Sequence, residues 1–530
     1  MSDLISKIIL CKGIKMDKNY VNVLSYSEEQ MLQLCQSQDH LVAIANDYSF
    51  IRNKGSISTN FSYSDALKSN YIAFQNKDYS NKWFFAFIDD VIYNGEQNTE
   101  IKYTIDSWST WYSYWKTKTC FVNREHVNDD TIGLHTVPEN LDVGEVIEES
   151  YEGFPIISSE SDKNQFYYAF ECTYNPYTEK DFIGMSKING SLSGAWIFLF
   201  KAYSGSIGLP EIHNFISDIN NANKIESLKN VYILPKYLVD AIGTTEYHKS
   251  GVAAYTFYLL NDSDSSKTIP YNFKVVRKYN DFTPKNNKCF CYPYNYMLIS
   301  NNVGNYNIYK YEDFILDGET NENPIVEIEC AVSIGGSIRL VPKGYKNIDS
   351  NYDESLSLSK FPSCSWSSDS FTNWLTQNGV NIATSIVSTA ASVASGNIAS
   401  TAGNIANIIG QFYQASLLPS ISGGNNTGDV NFSARSNIFA FHHMRAKKEY
   451  LEIIDDYFTR FGYAIKCLTT PNITGRKYWN YVEIGSSEEI GYGEVPSNYM
   501  EQINNACRKG VTIWHDHSNL GNYGLNNSIV

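Results

Sequence analysis

The chain of 530 residues is longer than one hydrophobic core usually serves, so roughly two to four domains are expected. Its composition is globular, 43% hydrophobic and 19% charged, and a formal net charge of −15 excludes a protein that grips nucleic acid through a basic surface. Aromatic residues reach 14%, with 40 Tyr, 27 Phe and 9 Trp, which suits pleated, half-buried surfaces and large interfaces.

The amino-terminal MSDLISKIILCKG has only a short apolar run before Lys12, too short for a secretory core, so export by a signal of its own is not expected. Ser27-Glu28-Glu29-Gln30 ahead of Met31, Leu32 and Cys35 forms a capping box opening a short helix. Lys82 to Tyr93 is apolar and aromatic and is followed by Asn94-Gly95, so Glu100 to Ile105 is predicted to return as the second strand of a hairpin. Trp108, Trp111 and Trp115 come next, with core packing as the default reading.

Ala195 to Tyr203 and Ala253 to Leu260 read as buried strands. Between them Ile212, Phe215, Ile216 and Ile219 recur at helical spacing. Ile325 to Val341 alternates on both sides of Gly335-Gly336 and predicts a hairpin. From Arg445 to Phe461, Leu451, Ile454, Phe458 and Phe461 share one helical face, with Gly462 as the stop. A second helix is predicted to open at Pro496-Ser497, with Met500, Ile503 and Cys507 in line and Gly510 ending it, before VTIWHDH and a Gly/Asn-rich tail. The sum is mainly β with a few short helices.

Ten cysteines are scattered along the chain, and only Cys289 and Cys291 are closely spaced. No second pair completes a zinc-type set, so free, mostly buried thiols made in a reducing cytosol are expected. Asn123 to Glu139 gathers Asn123, Arg124, Glu125, His126, Asp129, Asp130, His135, Pro138 and Glu139 in one loop-like stretch. The spacing matches no metal motif, and hydrogen-bonded loop structure or a subunit contact is the expected role. His515-Asp516-His517 puts two imidazoles on one side of an extended segment, without a third ligand nearby in sequence. No phosphate loop, nucleophile elbow, HExxH or distinctive carboxylate pair is present, so no enzyme and no cofactor are expected.

No charged residue or histidine occurs between Asp369 and Asp429. Four readings of this stretch compete. Its Ile and Val content is too high for a solvated linker, and Asn381, Asn397, Asn404 and Asn407 weaken a simple transmembrane helix. Buried core helices remain open. So does a membrane-active plug. Ala391, Ser395, Ala399 and Gly403 form one strip of small residues, and Ala402, Ala406 and Gly410 form another, each able to bring helix backbones close. Trp374, Leu375, Val380, Ile382, Ile386, Val387, Val393, Ile398, Ile405, Ile408, Ile409 and Phe412 supply the apolar surface. Ser363 to Ser370 and Ser422 to Gly428 flank the stretch with Gly, Ser and Asn.

The segment NREHVNDDTIGLHTVPENLDVGEV, with the upstream YTIDSWSTW, resembles the signature of the distal tail-tube, or tail-knob, proteins of small short-tailed bacteriophages, the Picovirinae-type podoviruses. The carboxy-terminal INNACRKGVTIWHD is similar to the family's closing helix and strand. The resemblance implies tandem β-barrel tube modules, an inserted knob domain and a long hydrophobic loop. On that basis 1–155 is expected to begin the tube, 156–310 to form the knob and 311–369 to begin a second barrel. Residues 370–428 are expected as the plug and membrane-active loop, and 429–530 as completion of the second barrel.

The resemblance also implies a virion protein, made in the host cytoplasm and placed in the distal tail. Its expected partners are copies of itself in a homohexamer, other tail and collar proteins, double-stranded DNA passing through the lumen, and the host cytoplasmic membrane during ejection. The principal alternative is a tail adhesin or glycan-cleaving tail protein binding the host cell wall. A pore-forming toxin and a peptidoglycan hydrolase are further alternatives; the first lacks an export signal and the second lacks a motif.

Overall fold

The computed structural model describes residues 7–155, 166–358, 363–365 and 437–530, apart from short internal stretches, the longest being 263–267, 276–281, 315–324 and 332–336. The chain divides into two compact units. Unit 1 comprises Met1–Gly144, Phe282–Cys289 and Lys448–Val530; unit 2 comprises Glu145–Asp281 and Phe290–Lys447.

Unit 1 is built on a seven-stranded antiparallel sheet with Ile8–Cys11, Tyr71–Asn76 and Lys82–Tyr93 at its centre. These strands read as continuous apolar runs because both faces of the sheet are covered. Ile8, Leu10, Ile72, Phe74, Phe84 and Ala86 enter one core, while Ile9, Cys11, Tyr71, Ala73, Trp83 and Phe85 enter another. Strand alternation alone sends neighbours to opposite cores.

The predicted Lys82–Tyr93 hairpin is present, with Tyr93 opposite Thr99 and a bulge between Ile88 and Asp90. A five-stranded sheet runs in the order Asn22–Leu24, Val511–Trp514, Trp479–Ile484, Cys120–Glu125, Tyr463–Thr469. Its first pair is parallel and joins the beginning of the chain to its end. Helix Glu28–Gln36 carries the capping box at Ser27 and Gln30, and Trp108, Trp111 and Trp115 are buried in the first core as expected. Ile503 and Cys507 of helix Ser497–Lys509 pack there too.

Unit 2 has three main sheets. The largest runs Thr244–Lys249, Tyr255–Leu260, Trp196–Tyr203, Phe166–Cys172, Leu228–Pro235 and Ser363–Ser365, with Ser206–Ile207 beside Trp196–Tyr203. A second pairs Val146–Pro155, Asn437–Ala446, Asn295–Ser300 and Tyr306–Tyr309. The third contains the predicted Ile325–Ala331 and Ser337–Pro342 pair, whose intervening glycines lie outside the described residues. One core joins all three, and helix Leu209–Asn221 covers it with Ile212, Phe215 and Ile219.

Two expectations differ from the structure, the first being that Asn123 to Glu125, read as loop-like, belong to strand Cys120–Glu125. In the second, the helix predicted from Arg445 begins at Lys448, because Asn437–Ala446 is a strand paired on both sides. Arg445 is held in that strand by Glu149, whose Oε2 accepts from Nε at 2.5 Å.

Candidate functional site

The signature stretch forms a tightly pinned corner of unit 1. Strand Cys120–Glu125 delivers Asn123, Arg124 and Glu125 from the five-stranded sheet, and the chain then loops through Asp129, Asp130 and His135 to Glu139. Glu139 is the centre. Its side chain is 1% exposed, pairs with Arg124, and accepts from Lys288 Nζ at 2.5 Å and from the Ala464 N–H at 2.9 Å. The two cations are themselves sheltered, Arg124 over the ring of Tyr457 and Lys288 beside those of Phe458 and Tyr463. A buried carboxylate needs such partners, since its desolvation is otherwise prohibitive.

His126 is fixed as a neutral tautomer. Its Nδ1 accepts from the Tyr481 N–H at 2.8 Å, so Nε2 carries the proton and donates to Thr459 O at 3.1 Å. Burial, with Arg476 nearby, pushes its pKa down to about 3. Glu125 moves the other way: burial pushes it up to about 7, partly opposed by the Asn472 N–H donating at 2.8 Å. Burial also raises Asp130, against the hydrogen bonds from Tyr463 Oη at 2.6 Å and the Asn287 N–H at 3.2 Å. Asp129 accepts from Thr131, and its carbonyl meets His135 Nε2 at 2.7 Å. Asn123 donates to Glu483 and to Ile484 O. Pro138 is exposed.

Partners far along the chain complete the corner. Asp455, on the inner face of helix Lys448–Phe461, accepts from the backbone N–H groups of Lys285 and Asn286 at 3.0 Å each. Gly462 ends that helix at φ +64°, where a Cβ would stand 2.1 Å from the Glu125 carbonyl oxygen. The stop was readable in the sequence; the close approach that also requires glycine was not. Nothing local marked Lys288, Asp455 or Asn472 as partners.

Two clefts border the corner. One of about 350 Å³ is lined by Glu125, Asp129, Leu134, His135, Ile465 and Cys467, among others, and another of about 250 Å³ by His126, Asp130, Thr459 and Arg476, among others. Among the described residues no group of three or more His, Cys, Asp or Glu side chains is arranged to hold a metal ion. His515 instead meets Ser25 Oγ at 2.9 Å and Asn480 Oδ1 at 3.0 Å, and His517 lies edge-on to His40. Eight cysteines are free thiols in the described residues, all buried except Cys467.

The neutral stretch, including Trp374 to Phe412 and both small-residue strips, lies outside the described residues. Among the described residues no helix is long and apolar enough to cross a membrane.

Comparison with known proteins identifies the class. Residues 5–116 match the family of caudoviral major tail protein amino termini, so the first sheet of unit 1 is that of a phage tail protein. Residues 258–528, half of the chain, match the family described as the carboxy-terminal domain of tail knob protein gp9 of Bacillus phage phi29, and the chain belongs to this tail knob family.

The chain is 25% identical over 578 residues to tail knob protein gp9 of Bacillus phage phi29 and 25% identical over 575 residues to that of Bacillus phage PZA, each alignment covering 91% of both chains. It overlays the structure of the bacteriophage C1 tail knob protein, gp12, with a TM-score of 0.62 at 14% identity, covering 99% of this chain and 100% of that one. The protein is thus a structural component of a phage virion tail, and its relatives are structural proteins rather than enzymes.

Proposed function

We propose that the protein forms a homohexameric distal tail tube with a surrounding knob, conducts genomic DNA during ejection, and plugs its own channel with residues 370–428. On release these segments enter the host cytoplasmic membrane and open a path for DNA. Residues 1–155, 311–369 and 429–530 are assigned to the tube and 156–310 to the knob.

The observation that carries the reading is the placement of the uncharged stretch. It lies within the connection between two paired strands of unit 2, Ser363–Ser365 and Asn437–Ala446, in a chain of net charge −15. A segment without charges crosses from a protein-lined channel to lipid without desolvating an ion. Its small-residue strips suit close packing against the same segment of neighbouring copies. Other tail proteins of the virion are the expected neighbours of the ring.

Electron microscopy of the purified protein, intact and with 371–428 deleted, tests this. Six-fold rings with a closed lumen that opens on deletion are expected; rings whose lumen density is unchanged overturn the plug.

A second reading, in which unit 2 also binds host wall glycans, is favoured by exposed Tyr151, Tyr292 and Tyr306 in and beside the second sheet. Retention on purified host walls that falls with Tyr306→Ala supports it, and unchanged retention removes it.

A further inference from the structure

The larger of the two clefts beside the signature corner, about 350 Å³, has a buried acid in its wall. Glu125 is 7% exposed. Its Oε2 accepts from the Asn472 N–H at 2.8 Å, and among the described residues it makes no other hydrogen bond. Burial raises its pKa to about 7, and only that N–H opposes the shift. Ionising Glu125 here therefore costs free energy that no neighbouring cation returns.

The charges around the cleft leave this acid uncompensated. Among the described residues no lysine or arginine lines it. Arg124 is turned to Glu139 and Gly462 O, and Arg476 to the carbonyls of Val127 and Asn527. Lys466, between Ile465 and Cys467, is exposed and stays out of the lining. Neutral His126 and Asp130 border the other cleft, with Asp130 held by Tyr463 and Asn287. His135 Nε2 donates to Asp129 O at 2.7 Å.

The second carboxylate of the wall belongs to Asp129, which is exposed. Its Oδ1 takes both the N–H and the hydroxyl of Thr131, and Oδ2 has no partner among the described residues. The remaining wall is largely apolar, Leu134, Val137 and Ile465 among it.

We infer that this cleft binds a linear aliphatic diamine. One ammonium meets buried Glu125, the methylene chain lies along Leu134, Val137 and Ile465, and the second ammonium meets exposed Asp129. An alkyl chain with charged ends covers apolar surface while keeping its charges paired or in water. A hard divalent cation fits this wall poorly, since it takes about six or more oxygen ligands and two carboxylates amid apolar side chains supply too few. The ligand would tie the loop after strand Cys120–Glu125 to strand Tyr463–Thr469, both of which line the cleft. The site lies within unit 1 and is independent of residues 370–428.

The test titrates the full chain with cadaverine, read by calorimetry and by alkylation of Cys467, an exposed thiol in the cleft wall. Saturable binding is expected, with Cys467 protected from iodoacetamide. Binding ionises Glu125, so at about pH 6.5 the heat should include proton release that varies with the buffer's ionisation enthalpy. Glu125→Gln should weaken binding about ten- to a hundredfold and remove the proton release. Asp129→Asn, on the exposed group, should weaken it about two- to fivefold. A cooperative thermal transition checks that each variant folds, and protection of Cys467 in the parent needs no variant.

Equal affinity in Glu125→Gln overturns the site. Equal protection of Cys467 by pentanol overturns it in favour of a merely apolar cleft, and protection by calcium in favour of a metal. Equal affinity for pentylamine overturns the diamine in favour of a single ammonium, the group that a lysine of another protein molecule presents. An absence of both binding and protection overturns it outright.

Discussion

Unit 1 and unit 2 draw on one aromatic-rich composition and hold themselves together by different means. Unit 2 gathers Phe170, Phe198, Phe200, Phe215 and Phe257 into one core where its sheets meet, with Phe215 in ring contact with Phe170, Phe198 and Phe200. Unit 1 places Trp108, Trp111 and Trp115 in one core and Trp83, Trp479 and Trp514 in another. It then pins segments from three stretches of chain with buried polar groups, Arg124, Glu139, Lys288 and Asp455 among them. Apolar burial is non-directional, so it compacts a unit without choosing a register; a buried carboxylate tolerates only the arrangement that satisfies it. Unit 1 unites the two ends of the chain and the short Phe282–Cys289 excursion, and its polar pins specify how they meet.

The largest effect expected from breaking this contrast is in the apolar unit. Phe215→Ala should cost about 3–5 kcal/mol through lost burial and a cavity among rings. In denaturant titrations the unit 1 signal, dominated by its buried tryptophans, should keep its midpoint. A matching shift there would mean that the units unfold together and the contrast has no energetic meaning.

Glu139→Gln comes next, at about 3 kcal/mol, because Arg124 and Lys288 are left beside a neutral amide. The tryptophan transition should move to lower denaturant. A loss below about 1 kcal/mol would make the corner no stronger than a surface ion pair.

The third expectation concerns pH and two adjacent residues. The unfolded chain protonates His126 near 6.5, whereas the folded chain refuses the proton until about 3, so this residue removes stability as pH falls through that window. Glu125 has the opposite sign: the folded chain keeps its proton up to about 7 while the unfolded chain releases it near 4.5, so stability is lost as pH rises between them. The two oppose each other between 4.5 and 6.5. His126→Gln removes only the first, and its stability should fall more steeply with rising pH in that interval than the parent's. Parallel pH profiles from chemical denaturation would contradict the assignment.

The smallest effect is local. Ser27→Ala deletes one side of the capping box of helix Glu28–Gln36 and should cost about 1 kcal/mol, seen as faster amide exchange in its first turn. Unchanged exchange would show that tertiary packing alone holds this helix end.

Much of the fold was legible along the chain. The capping box, the helices around Phe215 and Ile503, and the two hairpins all appear, since each depends on residues a few positions apart. The helix start near Arg445 was misplaced because a basic residue in a buried strand looks like a helix flank until its partner Glu149 is known. For the signature corner, hydrogen-bonded loop structure or a subunit contact was expected, and its first residues, Asn123 to Glu125, lie in a strand instead. Its partners were not legible, because Lys288 lies 149 positions from Glu139 and Asn472 lies 347 from Glu125.

By itself the sequence determined the mainly β character, the periodic helices and strands and, through its signature, the tail-knob family. These follow from backbone sterics, side-chain period and short-range capping, which act between near neighbours. Only the tertiary structure decided that Lys82–Tyr93 feeds two cores at once, that Asp455 turns inward on an otherwise apolar helix face, and that Phe282–Cys289 returns to unit 1. Burial of a charge or of both faces of a strand is set by segments hundreds of residues away, and no local pattern carries that information.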